Sequence, residues 1–187
     1  MSITNFSVFP PYNTIPLLFI SLILAISFVF ILFILYKDFI GKKYHGAYFL
    51  PTTDKQLETI VKFAGADKNK SVTDLGSGNG KILFGLAKQG FNVTGFEIDP
   101  ALVLLTKIRI FTNGMSSQIR IFRKNFWRED LSKFDIIILF GIGHMISDME
   151  NKLKKELKRG SKVISVRFSF PGLTLIKEEN RVFLYEV

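Results

Sequence analysis

Cysteine is absent from this chain of 187 residues, and histidine occurs only at His45 and His144. The lack of cysteine excludes a disulfide framework, a thiolate nucleophile and a cysteine-based zinc site. Two histidines are too few for a histidine-rich metal centre, so we expect no metal. The balance of 48% hydrophobic and 22% charged residues excludes a disordered chain. The net charge of +9 favours an anionic partner such as acidic lipid, nucleic acid or an acidic protein.

Charge is also absent from the first part of the chain, because no Asp, Glu, Lys or Arg precedes Lys37. Between Ile15 and Tyr36, only one proline and two serines are not hydrophobic. At about 1.5 Å per residue, a helix over this stretch is roughly 33 Å long and crosses the ~30 Å hydrocarbon core of a bilayer. We therefore predict an N-terminal tail at 1–14, a transmembrane helix at 15–36, a juxtamembrane connection at 37–50 and one domain at 51–187.

The alternative interpretations of this segment are a buried core helix, which would need a much larger protein around it, and a cleaved signal peptide. The segment lacks a basic region before the apolar run, the run is too long, and no A-x-A-like cleavage site follows it. An uncleaved single span is therefore predicted. Lys37, Lys42 and Lys43 follow the run, and no positive side chain precedes it. The positive-inside rule then places the domain on the cytoplasmic side of the membrane, or on the matrix side in a mitochondrion.

Patterns typical of strands and helices alternate from residue 51 onward. Short apolar runs predict strands, and apolar residues three and four apart predict helices. The repeated βα units favour an α/β fold with a doubly wound, mostly parallel Rossmann-like sheet, to which a final hairpin adds an antiparallel strand. Such a sheet binds its ligand at the carboxyl ends of the strands, here after residues 75, 96, 123 and 140. The predicted strands are 71–75, 91–96, 118–122, 134–140, 161–168, 174–177 and 181–186 with a turn at 178–180, and the predicted helices begin at 54, 81, 100 and 145.

The loop after the first predicted strand has the sequence Asp74-Leu75-Gly76-Ser77-Gly78-Asn79-Gly80. Its three glycines allow positive φ and let the backbone approach a ligand closely. The next helix begins at Lys81, and its free N–H groups favour a negative group such as a carboxylate. The G-x-G-x-G spacing differs from the G-x-G-x-x-G of dinucleotide enzymes, and no Ser or Thr follows Lys81 as in a P-loop.

Three acidic side chains near this loop are candidates for ligand contact. Glu97 ends the second predicted strand beside the loop, where a carboxylate can accept both ribose hydroxyls, and a solvated turn residue is the alternative. Asp74 can meet the α-amino group of a ligand, directly or through water, or it can serve as an anchor for the loop. Asp99 is better explained as the residue that begins the next helix.

Together these elements resemble motif I and the following acidic motif of class I S-adenosylmethionine-dependent methyltransferases. The resemblance implies that S-adenosyl-L-methionine is the cofactor and that Glu97 holds its ribose. It also implies that the glycine loop cradles the methionine moiety. The residues that the resemblance places around this moiety are Asp74, Gly76, Ser77, Gly78 and Gly80.

Four further segments carry a closer resemblance: Tyr48–Thr52, Asn125–Trp127, Phe140–Met145 and Val163–Pro171. They resemble the small protein-lysine methyltransferases of archaea and mitochondria. The mitochondrial members modify ATP synthase, on its c-type subunit, and the adenine nucleotide translocase, and they also carry an N-terminal hydrophobic segment. The chain departs from this family at Asn79, where Asp is usual, and at Gly143-His144, where Pro-Gln is frequent. The second departure lies near the expected substrate side and leaves the target protein open.

Residues in these segments have candidate roles in the cofactor site beside ordinary structural ones. Asn125 can hydrogen-bond the adenine edge. Phe126 can cover the adenine face, but both Phe126 and Trp127 can instead be residues of the core. Tyr48 and Thr52 can close over the cofactor as a lid, or they can pack at the start of the first helix of the domain.

No catalytic residue is certain from the sequence. Trp127, Phe140 and His144 are candidates for lining the substrate side, and His144 is alternatively a polar residue at a helix start. Arg167 lies inside a predicted apolar strand, where its charge requires a carboxylate or a backbone partner.

The leading hypothesis is a membrane-anchored enzyme that transfers a methyl group from S-adenosyl-L-methionine to a lysine side chain of a membrane-associated protein. The methyl group of the cofactor is already electrophilic, so alignment of a neutral amine suffices without a metal or a dedicated general base. The alternatives are a methyltransferase for a lipid, quinone or other small molecule, and a catalytically silent membrane adaptor. A nucleic-acid substrate is disfavoured, because no Asn/Asp-Pro-Pro-Tyr-like motif follows the fourth predicted strand.

Overall fold

The computed structural model describes residues 14–44, 51–140 and 145–187. Within the first of these ranges, side chains are described for residues 17–36. The chain divides into two compact units, residues 1–46 and 47–187, which are described separately. Tyr48 and His144, two of the candidate site residues, lie outside the described residues.

Helix α1 (Thr14–Tyr44) belongs to the first unit. Its stretch Leu17–Tyr36 has a mean hydropathy of 3.2, and none of that stretch is buried within the protein. By length and composition this stretch can cross a membrane. The backbone remains helical into residues 37–44, which the sequence analysis assigns to a connection, because no proline interrupts it and Gly41 alone weakens a helix without ending it.

The strands described in the second unit are β1 (Val72–Leu75), β2 (Val93–Glu97), β3 (Ile119–Arg123), β4 (Ile136–Phe140), β5 (Lys162–Val166), β6 (Thr174–Glu179) and β7 (Val182–Glu186). They form one sheet in the order β3-β2-β1-β4-β5-β7-β6. Strands β1 to β5 are parallel, β7 is antiparallel to β5, and β6 is antiparallel to β7. The predicted α/β fold, a mostly parallel sheet with an antiparallel C-terminal hairpin, is confirmed.

The helices described in the second unit are α2 (Asp54–Ala64), α3 (Lys81–Ala87), α4 (Pro100–Thr112) and α5 (Ile146–Glu156), and a short 3₁₀ helix lies at Phe126–Arg128. Local sequence determines where two of them begin. Thr53 accepts a hydrogen bond from the backbone of Gln56, and the side chain of Gln56 accepts one from Thr53, which makes a capping box for α2. Asp99 caps α4, and Pro100 is the first residue of that helix.

Two hydrophobic cores cover the two faces of the sheet. One core packs α2, α3 and α4 against Ile136 and Ile138, and the other packs α5 against Ile137 and Leu139. Consecutive side chains of a strand point to opposite faces, so β4 is apolar along its length and buried on both sides. This strand pairs in parallel with its neighbour β1, so the carboxyl ends of the two strands lie side by side.

Helix α2 is fastened to the turn of the C-terminal hairpin. The side-chain amide of Asn180 donates to Oγ1 of Thr59 over 2.9 Å, and Gln56 Nε2 donates to the carbonyl oxygen of Asn180 over 3.5 Å. Nζ of Lys62 lies 2.8 Å from Oε2 of Glu179. The first helix of the domain is therefore bonded to the turn between β6 and β7 and to the last residue of β6.

Several boundaries differ from the sequence prediction by one or two residues, and two of these differences have a clear cause in the backbone. The hairpin turns at Asn180 and Arg181, whose φ values are 54° and 59°, and not at residues 178–180, because β6 continues through Glu179. Strand β5 ends at Val166 and not at residue 168, because Arg167 has a φ of 71° and leaves the extended backbone of a strand.

Candidate functional site

The loop between β1 and α3 turns sharply at its glycines. Gly76, Gly78 and Gly80 have φ values of 81°, 55° and 79°, which glycine adopts without strain. The N–H groups of Gly76 and Ser77 both donate to the carbonyl oxygen of Phe96, over 2.9 and 3.0 Å. These bonds tie the loop to the carboxyl end of β2, where a doubly wound sheet binds its ligand.

The glycines of this region serve different purposes. A Cβ atom on Gly80 would lie 2.8 Å from Cγ2 of Thr106, so Gly80 permits close packing against α4. Among the described residues, nothing lies within 4 Å of a Cβ on Gly76, which leaves that side of the loop open to a ligand. Sequence reasoning missed Gly95 of β2, where an added Cβ would lie 2.9 Å from Oγ of Ser77. A glycine inside a strand is the signal that could have revealed this close approach.

Glu97 is buried, with 8% of its surface exposed, and is not the solvated turn residue of the alternative interpretation. Its Oε2 accepts from the N–H of Gly78 over 2.8 Å, and its Oε1 accepts from the N–H groups of Ile98 and Asp99 over 2.7 and 2.8 Å. A carboxylate has about four acceptor positions, so these bonds leave room for roughly one more donor. The geometry shows that Glu97 fixes the loop, and its contact with ribose stays a prediction.

Asp74 is also buried, but its surroundings leave it unsatisfied. Its Oδ2 has no hydrogen-bond partner among the described residues, and the same is true of Oγ of Ser77 and Oγ1 of Thr73. Burial, together with the nearby charge of Glu97, raises the pKa of Asp74 to about 8. A buried polar atom without a partner is costly and points to a ligand that completes the site.

Asp99, the third acidic residue near the loop, caps a helix as the sequence analysis favours. Its Oδ1 accepts from the N–H groups of Ala101 and Leu102 over 2.9 and 3.4 Å. It is buried and not solvated. Within the described ranges, no group of three or more His, Cys, Asp or Glu side chains is arranged to hold a metal ion.

Lys81 is a residue that sequence reasoning did not assign to the site. Its Nζ donates to the carbonyl oxygen of Thr52 over 2.6 Å and lies 2.8 Å from Oδ1 of Asp54. Hydrogen bonding to Lys81 and its charge hold the pKa of Asp54 below its ordinary value. Lys81 therefore joins the glycine loop to the start of α2, and Thr52 is buried at that junction. Its predicted role as a lid is not tested by this geometry.

Arg109 of α4 supports the same loop from the other side. Its Nη1 donates to the carbonyl oxygen of Asn79 over 2.6 Å, and its guanidinium lies 4.7 Å from the ring centroid of Phe84. The charge of Arg109 is thereby directed at the loop backbone. No motif in the sequence indicates this contact, because Arg109 and Asn79 lie on different elements.

The segment predicted to bind adenine packs partly into the second core. Oδ1 of Asn125 accepts from the N–H of Trp127 over 3.1 Å and so begins the 3₁₀ helix. The rings of Phe126 and Trp127 are 5.4 Å apart, and both pack against the core under α5. Both residues are half-buried, so core packing accounts for part of each ring. The adenine contacts of Asn125 and Phe126 stay predictions.

Phe140 lies at the carboxyl end of β4, on the expected substrate side. The guanidinium of Arg167 lies 5.2 Å from the centroid of its ring. The backbone N–H of Arg167 donates to the carbonyl oxygen of Arg181 over 2.7 Å. The guanidinium of Arg167 thus faces an aromatic ring just beyond β5, where the sequence analysis expected a carboxylate or a backbone partner for a charge inside a strand. His144 and its neighbours at 141–144 lie outside the described residues.

The strand order, the glycine loop after β1 and the buried acid at the end of β2 define a Rossmann-like methyltransferase fold. The crystal structure of an RNA methyltransferase from Salinibacter ruber, in complex with S-adenosyl-L-homocysteine, is similar to this chain with a TM-score of 0.67. The match covers 73% of this chain and 92% of that one at 22% sequence identity. At this identity the likeness shows the fold alone.

The sequence model of the ANTKMT methyltransferase domain family matches residues 74–177. The chain belongs to this family, which confirms the resemblance found in the sequence.

Two curated relatives illustrate the match. The lysine N-methyltransferase of the ATP synthase C subunit from Homo sapiens is 34% identical over 126 residues, which are 67% of this chain and 54% of that protein. A protein-lysine N-methyltransferase of Saccharolobus islandicus is 31% identical over 127 residues, 66% of this chain and 78% of that protein. The chain spans about half the length of the vertebrate ATP synthase methyltransferases it matches.

Proposed function

We propose that this chain is a protein-lysine N-methyltransferase that uses S-adenosyl-L-methionine and is anchored to a membrane by α1. The observation that carries the proposal is the buried carboxyl of Asp74, whose Oδ2 has no partner in the described part of the chain, beside a glycine loop that Glu97 holds in place. Membership of the ANTKMT methyltransferase domain family and the names of the curated relatives support the reaction type.

The residues around the loop fit this cofactor. Its α-amino group is a cation, which the unsatisfied carboxyl of Asp74 can bind, directly or through a water molecule. Oγ of Ser77 is a second buried polar atom without a partner among the described residues. The open side of Gly76 leaves room for the methionine moiety. The remaining acceptor position of Glu97 can take a ribose hydroxyl, and the resemblance places adenine near Asn125.

The chemistry that S-adenosyl-L-methionine supplies is an electrophilic methyl group on a sulfonium. The protein has to align the lysine amine for in-line displacement and to keep that amine neutral. A free lysine side chain has a pKa of ~10.4, and an apolar surrounding lowers the pKa because it disfavours the charged form. The rings of Phe140 and Trp127 supply apolar surface on the expected substrate side. The guanidinium of Arg167 beside Phe140 further disfavours a second positive charge there.

Anchoring by α1 bears on the choice of substrate. Leu17–Tyr36 is long and apolar enough to cross a bilayer. A tether raises the effective concentration of targets in the same membrane without any new contact. We therefore propose that the methylated lysine belongs to a membrane protein or a membrane-associated protein. A lipid or quinone is the second candidate substrate, because the same anchor would bring an apolar small molecule within reach.

The test follows methyl groups from cofactor to product. The full chain is reconstituted into vesicles with solubilised membrane proteins and radiolabelled S-adenosyl-L-methionine, and the protein and lipid fractions are counted separately. We expect the label in protein, on lysines identified by tandem mass spectrometry. Asp74→Asn and Glu97→Gln should abolish transfer, whereas the matched change Glu58→Gln on the exposed side of α2 should not.

Two results would contradict the proposal. Label confined to lipid or quinone would favour the small-molecule alternative. A chain that binds the cofactor but transfers methyl to neither fraction would favour the silent adaptor. Anchoring is tested independently, because an inserted chain stays in the pellet after alkaline carbonate washing, and release of the full chain would exclude a transmembrane α1.

A further inference from the structure

An apolar surface lies on helix α4 and on β3, the strand at one edge of the sheet. Leu104, Leu105, Ile108 and Phe111 of α4 are 61, 47, 52 and 81% exposed. Their spacing places them on one face of the helix, opposite the face that packs on the sheet. Phe122 of the edge strand β3 is 42% exposed. An exposed aliphatic and aromatic stripe of this extent on a helix marks an interaction site.

The charge of the same region is of one sign. Between Pro100 and Arg128 the sequence has six Lys and Arg residues and no Asp or Glu. Lys107, Arg120 and Arg123 are exposed. Lys107 and Arg120 line a groove of about 410 Å³ between α4 and β3, together with apolar side chains of both elements. We name the exposed stripe and these three basic residues the α4 edge.

The combination of apolar and basic side chains indicates which kind of partner binds the α4 edge. A nucleic acid would match the positive charge, but its phosphates leave an aliphatic stripe without a partner. The boundary of an anionic bilayer takes both, since apolar side chains enter the acyl region while Lys and Arg meet the headgroups. We propose that the α4 edge binds the surface of a bilayer that contains anionic lipid.

Binding of the α4 edge to a bilayer would add to the membrane crossing proposed for α1. The inference rests on the proposed function only for the location of the chain at a membrane. Each Lys or Arg near an anionic surface strengthens binding by roughly fivefold, the equivalent of ~1 kcal/mol. Three such residues and an inserted stripe suffice to restrict the rotation of a domain that is already tethered. The loops at the carboxyl ends of the strands would then face targets at a fixed depth.

The lack of cysteine permits a direct test on the full chain. Phe111→Cys and Ile176→Cys each introduce one attachment point for an environment-sensitive nitrobenzoxadiazole label. Phe111 is 81% exposed on the α4 edge, and Ile176 is 55% exposed on β6, so neither change removes much packing. Both labelled chains are reconstituted into phosphatidylcholine vesicles with and without phosphatidylglycerol. Nitroxide-bearing lipids then quench a label that touches the bilayer.

We expect lipid nitroxides to quench the label at position 111 several-fold more than the label at position 176 when phosphatidylglycerol is present. High salt should reduce the difference, because it screens exposed charges. Lys107→Gln with Arg120→Gln should reduce it further, whereas Lys155→Gln with Arg159→Gln, at exposed basic positions away from the α4 edge, should leave it unchanged.

Other results would overturn the inference. Equal quenching at the two positions would show that the α4 edge does not bind lipid. Shielding of the label at position 111 from water that depends on protein concentration and not on lipid would favour a second copy of the chain as the partner. Shielding of this label by added RNA but not by lipid would favour a nucleic acid. Flotation of each labelled chain with the vesicles reports the α1 anchor separately, and the methyl-transfer assay reports the enzyme activity.

Discussion

Two buried carboxylates lie at the ends of neighbouring strands, and their surroundings are opposite. Glu97 at the end of β2 accepts three backbone N–H groups. Asp74 in β1 keeps one oxygen without a partner among the described residues, and its pKa is raised to about 8. One acid therefore builds the loop, while the other keeps an oxygen that, in our proposal, binds the cation of the ligand.

Removal of the satisfied acid should have the largest effect. Glu97→Ala leaves the N–H groups of Gly78, Ile98 and Asp99 without their acceptor. An unsatisfied buried group costs about 1–3 kcal/mol, so we expect the free energy of unfolding to fall by roughly 3 kcal/mol or more. Urea unfolding followed by circular dichroism measures this change. Glu178→Ala, at an exposed position of β6, is the control, and equal stability of the two variants would contradict the comparison.

Replacement of the unsatisfied acid should change stability in the opposite direction. The pKa of Asp74 is 3.8 when unfolded and about 8 when folded, so wild-type stability falls as the pH rises from 4 to 8. Asp74→Asn lacks this slope. We expect it to be more stable than wild type at pH 8, by on the order of a few kcal/mol, and to bind the cofactor at least tenfold more weakly.

Thermal unfolding at pH 5 and pH 8, together with isothermal calorimetry, measures both properties of Asp74→Asn. An advantage in stability that shrinks as the pH rises would contradict the assigned pKa. Wild-type affinity for the cofactor in this variant would contradict the role of Asp74 in binding.

The pH dependence of cofactor binding sharpens the comparison further. A bound α-amino cation lowers the pKa of Asp74, so binding below pH 8 should release a proton from this carboxyl. Affinity should then rise by up to about tenfold per pH unit until Asp74 is ionised in the free protein. Calorimetry in two buffers that differ in ionisation enthalpy counts the released protons. Asp74→Asn should release none from this site, and wild type without proton release would contradict the contact.

The smallest effect concerns the glycine loop between β1 and α3, for which the turn after α4 serves as the reference. Gly80 and Gly114 have φ values of 79° and 65°, but only Gly80 has a close neighbour to an added Cβ. Gly114→Ala should cost about 1 kcal/mol through backbone strain alone. Gly80→Ala should cost roughly 1 kcal/mol more, because its Cβ would press on Thr106. Equilibrium unfolding compares the two variants, and equal losses would show that the contact with α4 is dispensable.

Much of the fold could be predicted from local sequence. The capping box of Thr53 and Gln56 marks where α2 begins, and Asp99 with Pro100 marks the start of α4. The strand ends were predicted within about two residues, because buried runs and glycine punctuation indicate them. The fold class followed from the repeated βα pattern.

The unpredicted features are those that depend on contacts between distant residues. Lys81 reaches the carbonyl of Thr52, and Arg109 reaches the carbonyl of Asn79, so neither belongs to a local motif. The sequence predicted Asp74 and Glu97 at one site. It could not show that both carboxylate oxygens of Glu97 accept hydrogen bonds while Oδ2 of Asp74 has no partner among the described residues. Arg167 has a positive φ and donates its N–H to the carbonyl oxygen of Arg181 in the hairpin, a contact that local propensity does not report.

The attachment of α2 to the hairpin turn has a consequence for how the protein is made. Asn180 and Glu179 hold a helix that begins more than a hundred residues earlier in the chain. On a ribosome, α1 and α2 emerge long before the hairpin exists, and domains fold as units once their sequence is available. The domain therefore cannot complete its fold until the hairpin has been synthesised. Removal of the hairpin would leave α2, and with it the junction of Thr52 and Lys81, without these contacts.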